Sequence, residues 1–251
     1  MSRSTRNAGI AVAACALLAS AACGGSTSTA NPPKATPSPG SSPILHPFPA
    51  ADQFVDKIDN PYLPLEPGTR WVYESIDKEG DERIVVTVTN RTREIEGVTA
   101  TVVRDTVTEA GKVIEDTQDW YAQDADGNVW YLGEYSEAYE DGKTSTKGSW
   151  ETGVDGALPG IVMLADPQVG DSYHQEFYKG EAEDVADVLA TDATTTVPFG
   201  DFDHMVKTAD LNPLEPQFLE HKYYAEGIGF VYEEMVRGGN ERIGLVEMTQ
   251  P

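Results

Sequence analysis

Cysteine, basic residues and histidine are all scarce in this chain, and each shortage excludes something. Two cysteines occur in 251 residues, Cys15 and Cys23, both near the start. The rest of the chain therefore has no disulfide framework, no Cys-based zinc motif and no cysteine nucleophile. Four histidines, one of them His46, leave little material for a His-built metal centre. Eighteen Lys and Arg stand against 42 Asp and Glu, a net charge of −24. A surface so acidic repels nucleic acid and anionic headgroups, so neither is expected as a partner. Also missing are a G-x-S-x-G elbow, an H-E-x-x-H helix and a Gly-rich phosphate loop followed by Lys. With no catalytic constellation in view, the sequence predicts a protein that is not an enzyme.

Long apolar runs are missing too. Residues 8–19 form a mostly apolar stretch, shorter than the roughly 20 residues that span a bilayer. What surrounds it gives it another meaning. Arg3 and Arg6 precede it, Ser20-Ala21-Ala22 follow it, and Cys23 then leads into Gly24-Gly25-Ser26. A basic start, a short apolar core and small residues before a cut are the requirements of a secretory signal. The cysteine after the small residues resembles a bacterial lipobox, where the thiol carries a diacylglyceryl group. Ser20 stands where lipoboxes usually have Leu. Val12-Ala13-Ala14-Cys15 fits the motif better locally but leaves almost no apolar core. Residues 1–22 are read as the signal peptide and Cys23 as the lipidation site. The mature chain is then an extracytoplasmic lipoprotein, held to the cell membrane by acyl chains such as palmitate.

Residues 24–50 hold seven Pro, three Gly, five Ser and three Thr. Such a stretch cannot bury apolar surface, so 23–51 is expected to be a disordered tether. The body, 52–251, has a length suited to one mainly β domain and needs no staples.

Alternation of period two dominates that body. Strands are expected at 69–74, 83–89, 98–108, 112–124, 128–135 and 172–178. Further strands are expected around 194–197 and at 203–209, 220–225, 229–236 and 242–248. Asp126-Gly127 suits a two-residue type I′ turn, which would place Gln123 opposite Trp130 and Tyr121 opposite Leu132. Trp120 would then cover Gly133. Only Glu181 to Leu189 reads as helix, with acids in its first turn. The expectation is a single antiparallel, strongly curved sheet or partial barrel, with one short helix and a long capping loop. That loop is 148–171, rich in Gly, and it carries Trp150, Glu151 and Asp155 beside an apolar run. It is read either as a plug in the sheet's open end or as a lid over a ligand site.

Several stretches resemble a group of exported bacterial proteins, many of them predicted lipoproteins of high-GC Gram-positive bacteria. They are Asn60 to Leu65, Gly68 to Tyr73, Asp119 to Leu132, Ser149 to Gly160, Gly180 to Asp184 and Tyr224 to Val231. The resemblance implies an envelope location and brings no activity and no site residues with it.

From the residues themselves, three constellations are candidates for chemistry. Asp124-x-Asp126-Gly127-Asn128 looks like part of a calcium loop, although the first and twelfth EF-hand places would hold Ala122 and Gly133. Asp201-x-Asp203-His204 is a possible metal or proton-transfer group. His174 and Glu176, with Glu181 and Glu183 nearby, could share a strand face. The function expected is a binding or structural envelope module for a small or apolar ligand or an envelope protein. Trp120, Trp130, Trp150, Glu151 and Asp155 are its candidate ligand residues. The alternatives are a calcium binder and a carboxylate-based hydrolase; no other cofactor is expected.

Overall fold

The computed structural model describes residues 42–76, 81–140 and 142–251. Cys23, the signal segment and most of the tether lie outside the described residues. One 3-10 turn, Ala51–Gln53, leads into the first strands: β1 Phe54–Val55, β2 Arg70–Ser75, β3 Glu82–Ile95 and β4 Val98–Glu109. Next come β5 Lys112–Asp124, β6 Val129–Glu140, β7 Lys143–Ser145, β8 Trp150–Glu151 and β9 Leu158–Met163. The rest are β10 Ser172–His174, β11 Glu176–Phe177, β12 Val185–Val197, β13 Gly200–Leu211, β14 Leu219–Ala225, β15 Gly229–Arg237 and β16 Arg242–Thr249.

All belong to one antiparallel sheet. Starting from β10, the order is β12, β13, β14, β15, β16, β2, β3, β4, β5, β6, β9 and β11; β1 lies on β5, and β7 and β8 lie on β6. The two margins, β10 and β11, are separated only by Gln175. The sheet therefore curls until its margins meet in one stretch of chain, a barrel with a seam at Gln175. The backbones are tight there. A Cβ on Gly160 would stand 2.3 Å from the carbonyl carbon of Gln175.

The expectation of a curved antiparallel sheet therefore holds, with local corrections. The helix expected over 181–189 does not form. Residues 185–197 are β12, paired with both β10 and β13. Helical spacing of the apolar residues loses to a following run of Thr and Val that suits a pleated surface. The long loop contains β8 and β9, so it adds strands to the sheet. Two-residue turns with both φ angles positive occur at Glu96-Gly97 and Ala110-Gly111. At Asp126-Gly127 only Gly127 is positive. Four residues, 125–128, separate these strands, with Asp124 N donating to Asn128 O at 3.0 Å, and Gln123 pairs with Val129 instead of Trp130. Of the tether expected over 23–51, residues 42–51 are described, and they pack on the body. Ile44 bridges Tyr173, donating to Ser172 O at 2.9 Å, and Phe48 sits 5.5 Å edge-on to Trp130.

Ile84, Val86 and Val88 on β3, with Leu245 on β16, line the buried side of the wall. Each contributes about 1.5–3 kcal/mol by leaving water.

Candidate functional site

Directly opposed residues of an antiparallel pair share a face, so the ladders show which side chains point inward. Asp105 pairs with Val86 and Thr117, Val107 with Ile84 and Glu115, and Val103 with Val88 and Asp119. Asp105, Glu115 and Asp119 therefore look into the barrel beside its aliphatic wall. Asp119 in turn faces Glu134. On the opposite wall, one row runs Ala186, Asp210, Glu220 and the next runs Thr208, Lys222, Glu233. Glu176 enters from the seam. The interior is thus lined with carboxyls, and Lys222 is the one buried base among the described residues.

Burial decides the protonation of these groups. It pushes Asp105 well above the usual carboxyl range, helped by Asp119 and Glu115, and neither Asp105 oxygen has a hydrogen-bond partner. Glu134, Glu176 and Glu233 are raised well above that range, again first by burial. Asp119 is pushed up to about 7 by burial, against a hydrogen bond from Tyr131 that lowers it. Burial pulls Lys222 down, but Asp210, Glu233 and Glu220 outweigh it and hold its ammonium charged.

A bulge builds the tightest cluster. Between the pairs Asp119–Glu134 and Tyr121–Tyr131, β6 spends one residue more than β5. In a regular strand, residues three apart point to opposite faces. The extra residue, at Leu132-Gly133, brings Tyr131 and Glu134 to the same side. The Tyr131 hydroxyl lies 2.8 Å from Asp119 Oδ1 and 2.9 Å from Glu134 Oε2. Tyr121 stacks on Tyr131 at 5.0 Å, and Trp150 meets Tyr131 edge-on at 5.4 Å. Glu176 lies beside Trp150, and Asp184 and Lys222 bear on it from the far side.

A small cleft, partly open to solvent and with an inner volume of about 20 Å3, lies at the other end of this acid row. Gln175, Asp184, Asp210, Glu220 and Lys222 form its floor, and Glu215 and Phe218 of the β13–β14 connection reach its rim. Lys222 Nζ stands 3.5 Å from Asp210, 3.8 Å from Glu220 and 3.9 Å from Glu233. Asp210 is fixed by Thr208 and by Gln175 Nε2 at 3.2 Å.

The residues singled out from the sequence are placed otherwise than as one site. Trp120, Trp130 and Trp150 are 5%, 2% and 5% exposed, so all three are core. Arg93 connects two of the candidates, with its guanidinium 4.2 Å over the Trp120 ring and an ion pair to Glu151. The Trp150–Glu151 backbone lies closest to where a Gly133 side chain would stand. Asp155 is an exposed turn residue with φ of 50°. Asp124 accepts the Asn128 backbone N–H, Asn128 Nδ2 and Trp130 Nε1, all within 2.9 Å, so the turn itself uses its oxygens. Asp126 stays exposed, and Asn128 Oδ1 accepts from Ala165 N. Among the described residues, no three His, Cys, Asp or Glu side chains stand together as metal ligands. His204 contacts Asp192 at 2.6 Å while Asp201 accepts from Thr196 at the exposed end of β12–β13. The break at Gln175 buries Glu176 and leaves His174 half-buried. Sequence reasoning missed Asp119, Tyr131, Glu134, Asp210 and Lys222. In a sequence with 42 acids, only strand register singles them out.

No family model matches this chain, and no curated protein matches it. Two solved structures are similar to it. One is a protein described as exported, with a YmcC-like fold, from Bacteroides fragilis NCTC 9343. Its TM-score is 0.41 at 16% identity, over 75% of this chain and 99% of that one. The other is described as a lipoprotein from Parabacteroides distasonis ATCC 8503. Its TM-score is 0.42 at 13% identity, over 75% of this chain and 98% of that one. Likeness this distant carries no argument about activity, and it adds no support for a high-GC Gram-positive group.

Proposed function

We propose that the protein is a lipid-anchored binding module on the extracytoplasmic face of the cell membrane, and that it takes a small organic cation into the cleft beside Lys222. The anchor rests on Cys23 and the signal-like segment before it. The ligand class rests on one observation: four carboxyl side chains, Asp184, Asp210, Glu215 and Glu220, line the cleft against one ammonium. That excess of acid lining a concave site favours a positive guest, and the Phe218 ring at the rim suits one. An apolar guest among the tryptophans loses its place, since all three are packed in the core.

A second reading, a barrel that serves only as structure, is favoured by the burial of Trp150 inside the wall. Calorimetric titration separates the two. Saturable binding of 1,4-diaminobutane, weakened by salt and by Asp184→Asn, with no heat from acetate or glucose, supports the binding module. No amine binding supports the structural reading. Binding of calcium in preference to the amine would favour a divalent-cation binder.

A further inference from the structure

We propose that Asp119, Tyr131 and Glu134 form a proton-binding site that locks the β8–β9 segment onto β6 and frees it when the proton leaves for bulk water. The argument is one of hydrogen count. Two carboxyl oxygens lie within 2.8 and 2.9 Å of a single hydroxyl, and a phenol carries one hydrogen. That hydrogen serves one contact. The other needs a hydrogen on the carboxyl, donated back to the phenol oxygen. The cluster therefore holds one proton more than two carboxylates and a phenol would. Glu134 is the carrier, being raised well above the carboxyl range, while Tyr131 donates to Asp119.

The surroundings make losing that proton costly. Glu115 and Tyr121 on β5, Asp105 on β4 and Glu176 on β11 all bear on the cluster, and each is acidic or neutral. Lys222 on β14 is the nearby cation, and it acts on Glu176 from the side of the cleft. Once ionised, Glu134 would face Asp119 directly across the β5–β6 ladder with nothing to neutralise either.

The strain would fall on a neighbour held by short ladders. Trp150 is the register partner of Glu134; β8 is held to β6 by two residue pairs, and β9 by three to β6 and two to β11. The β3–β4 and β4–β5 ladders are several times longer. Short ladders open first. Gly133 joins the two functions, since its bulge aligns Tyr131 with Glu134 and its missing side chain admits the Trp150 carbonyl. This lock does not depend on the cleft or its ligand.

Hydrogen exchange read by mass spectrometry tests it, with rates corrected for the intrinsic pH dependence of amide exchange. Protection of 150–163 is expected to fall as pH rises from about 6 through about 7, the value to which the cluster's Asp119 is raised, approaching tenfold per pH unit, the slope of one released proton. Protection of 98–109 should hold. Glu134→Gln supplies a donor that cannot ionise, so its segment should stay protected across the range. Tyr131→Phe keeps the ring but removes the shared hydroxyl, so its segment should already exchange fast at about pH 6. A pH-independent 150–163 in the wild type overturns the lock. So does a wild-type pH profile in either variant that folds.

Discussion

The carbonyl oxygen of Trp150 lies 2.3 Å from the point where a Cβ on Gly133 would stand. Gly133 also has φ of 129°, a conformation that L side chains rarely adopt. Gly111, by contrast, has φ of 74° with nothing within 4 Å of its would-be Cβ. Gly111→Ala should therefore cost only the backbone term, about 1–2 kcal/mol. Gly133→Ala should cost that and more, at least about 3 kcal/mol, because the obstacle is backbone and cannot swing away. Denaturant unfolding of the two variants checks this, and equal losses would refute it.

Trp150 itself distinguishes plug from lid. Its ring is buried against Tyr131, as a plug requires. Trp150→Ala should destabilise the fold by about 3–5 kcal/mol, as large-to-small core changes do. A loss under about 1 kcal/mol in urea unfolding would return the segment to the role of a mobile lid.

How much of this was legible beforehand depends on what set each feature. Strands such as Val98–Glu109 and Arg242–Thr249 carry their period-two pattern openly, and the structure has them within a residue or so of expectation. The turn at Asp124–Asn128 misled, because Asp-Gly suits two turn lengths. Asn60 decides between them from outside, with Nδ2 donating to Gly127 O at 2.9 Å and to Leu164 O at 3.1 Å. A one-residue difference there shifts every pair up to Tyr121. The Tyr131–Glu134 contact was out of reach for the same reason: a bulge changes the face of a side chain without changing its letter. Nothing in the sequence marks Lys222 as buried; β13 and β15, which flank it, enclose it.

The anchor is tested by labelling. Cys23 follows a signal-like segment and is the only cysteine that cleavage there would leave. Cells given radiolabelled palmitate should label the wild type, and Cys23→Ala should carry none. Label that persists on that variant, or moves to Cys15, would place the modification elsewhere.

The inner end of the tether should matter for stability. Phe48 lies 5.3 Å from Phe54 and edge-on to Trp130, and Ile44 accepts from His174 N at 3.0 Å. A chain beginning at Ser42 should keep the thermal midpoint of the mature protein. One beginning at Asp52 loses both ring contacts of Phe48 and the two backbone hydrogen bonds of Ile44, together at least about 2–3 kcal/mol. That corresponds to a drop of several degrees. Identical midpoints for the two chains would show that 42–51 adds nothing.

The dependence of stability on pH should run opposite to that of an ordinary acid-labile protein. A carboxyl whose folded value lies above its unfolded one binds its proton more tightly in the folded state. Its stabilising effect is complete below the unfolded value and is lost as pH rises through the folded one. Asp119 moves from 3.8 to about 7 by burial, and Glu82 from 4.5 to about 8 by burial and then by Glu109 and Glu241. Asp105, Glu134, Glu176 and Glu233 move the same way. His174 and His221 oppose this on the acid side. Burial lowers both, so each costs stability as pH falls below about 6.5. Being half-exposed, they weigh less than the interior acids. Lys222 stays charged throughout and contributes no slope. The thermal midpoint should therefore peak on the acid side of neutrality and fall from there up to about pH 8, the value to which Glu82 is raised, with each titrating acid contributing up to about 1.4 kcal/mol per pH unit. Glu82→Gln should flatten the upper part of that fall, since an amide has no proton to lose. A midpoint that rises steadily from about pH 6 to about pH 8 would mean that the interior acids are already ionised in the folded barrel.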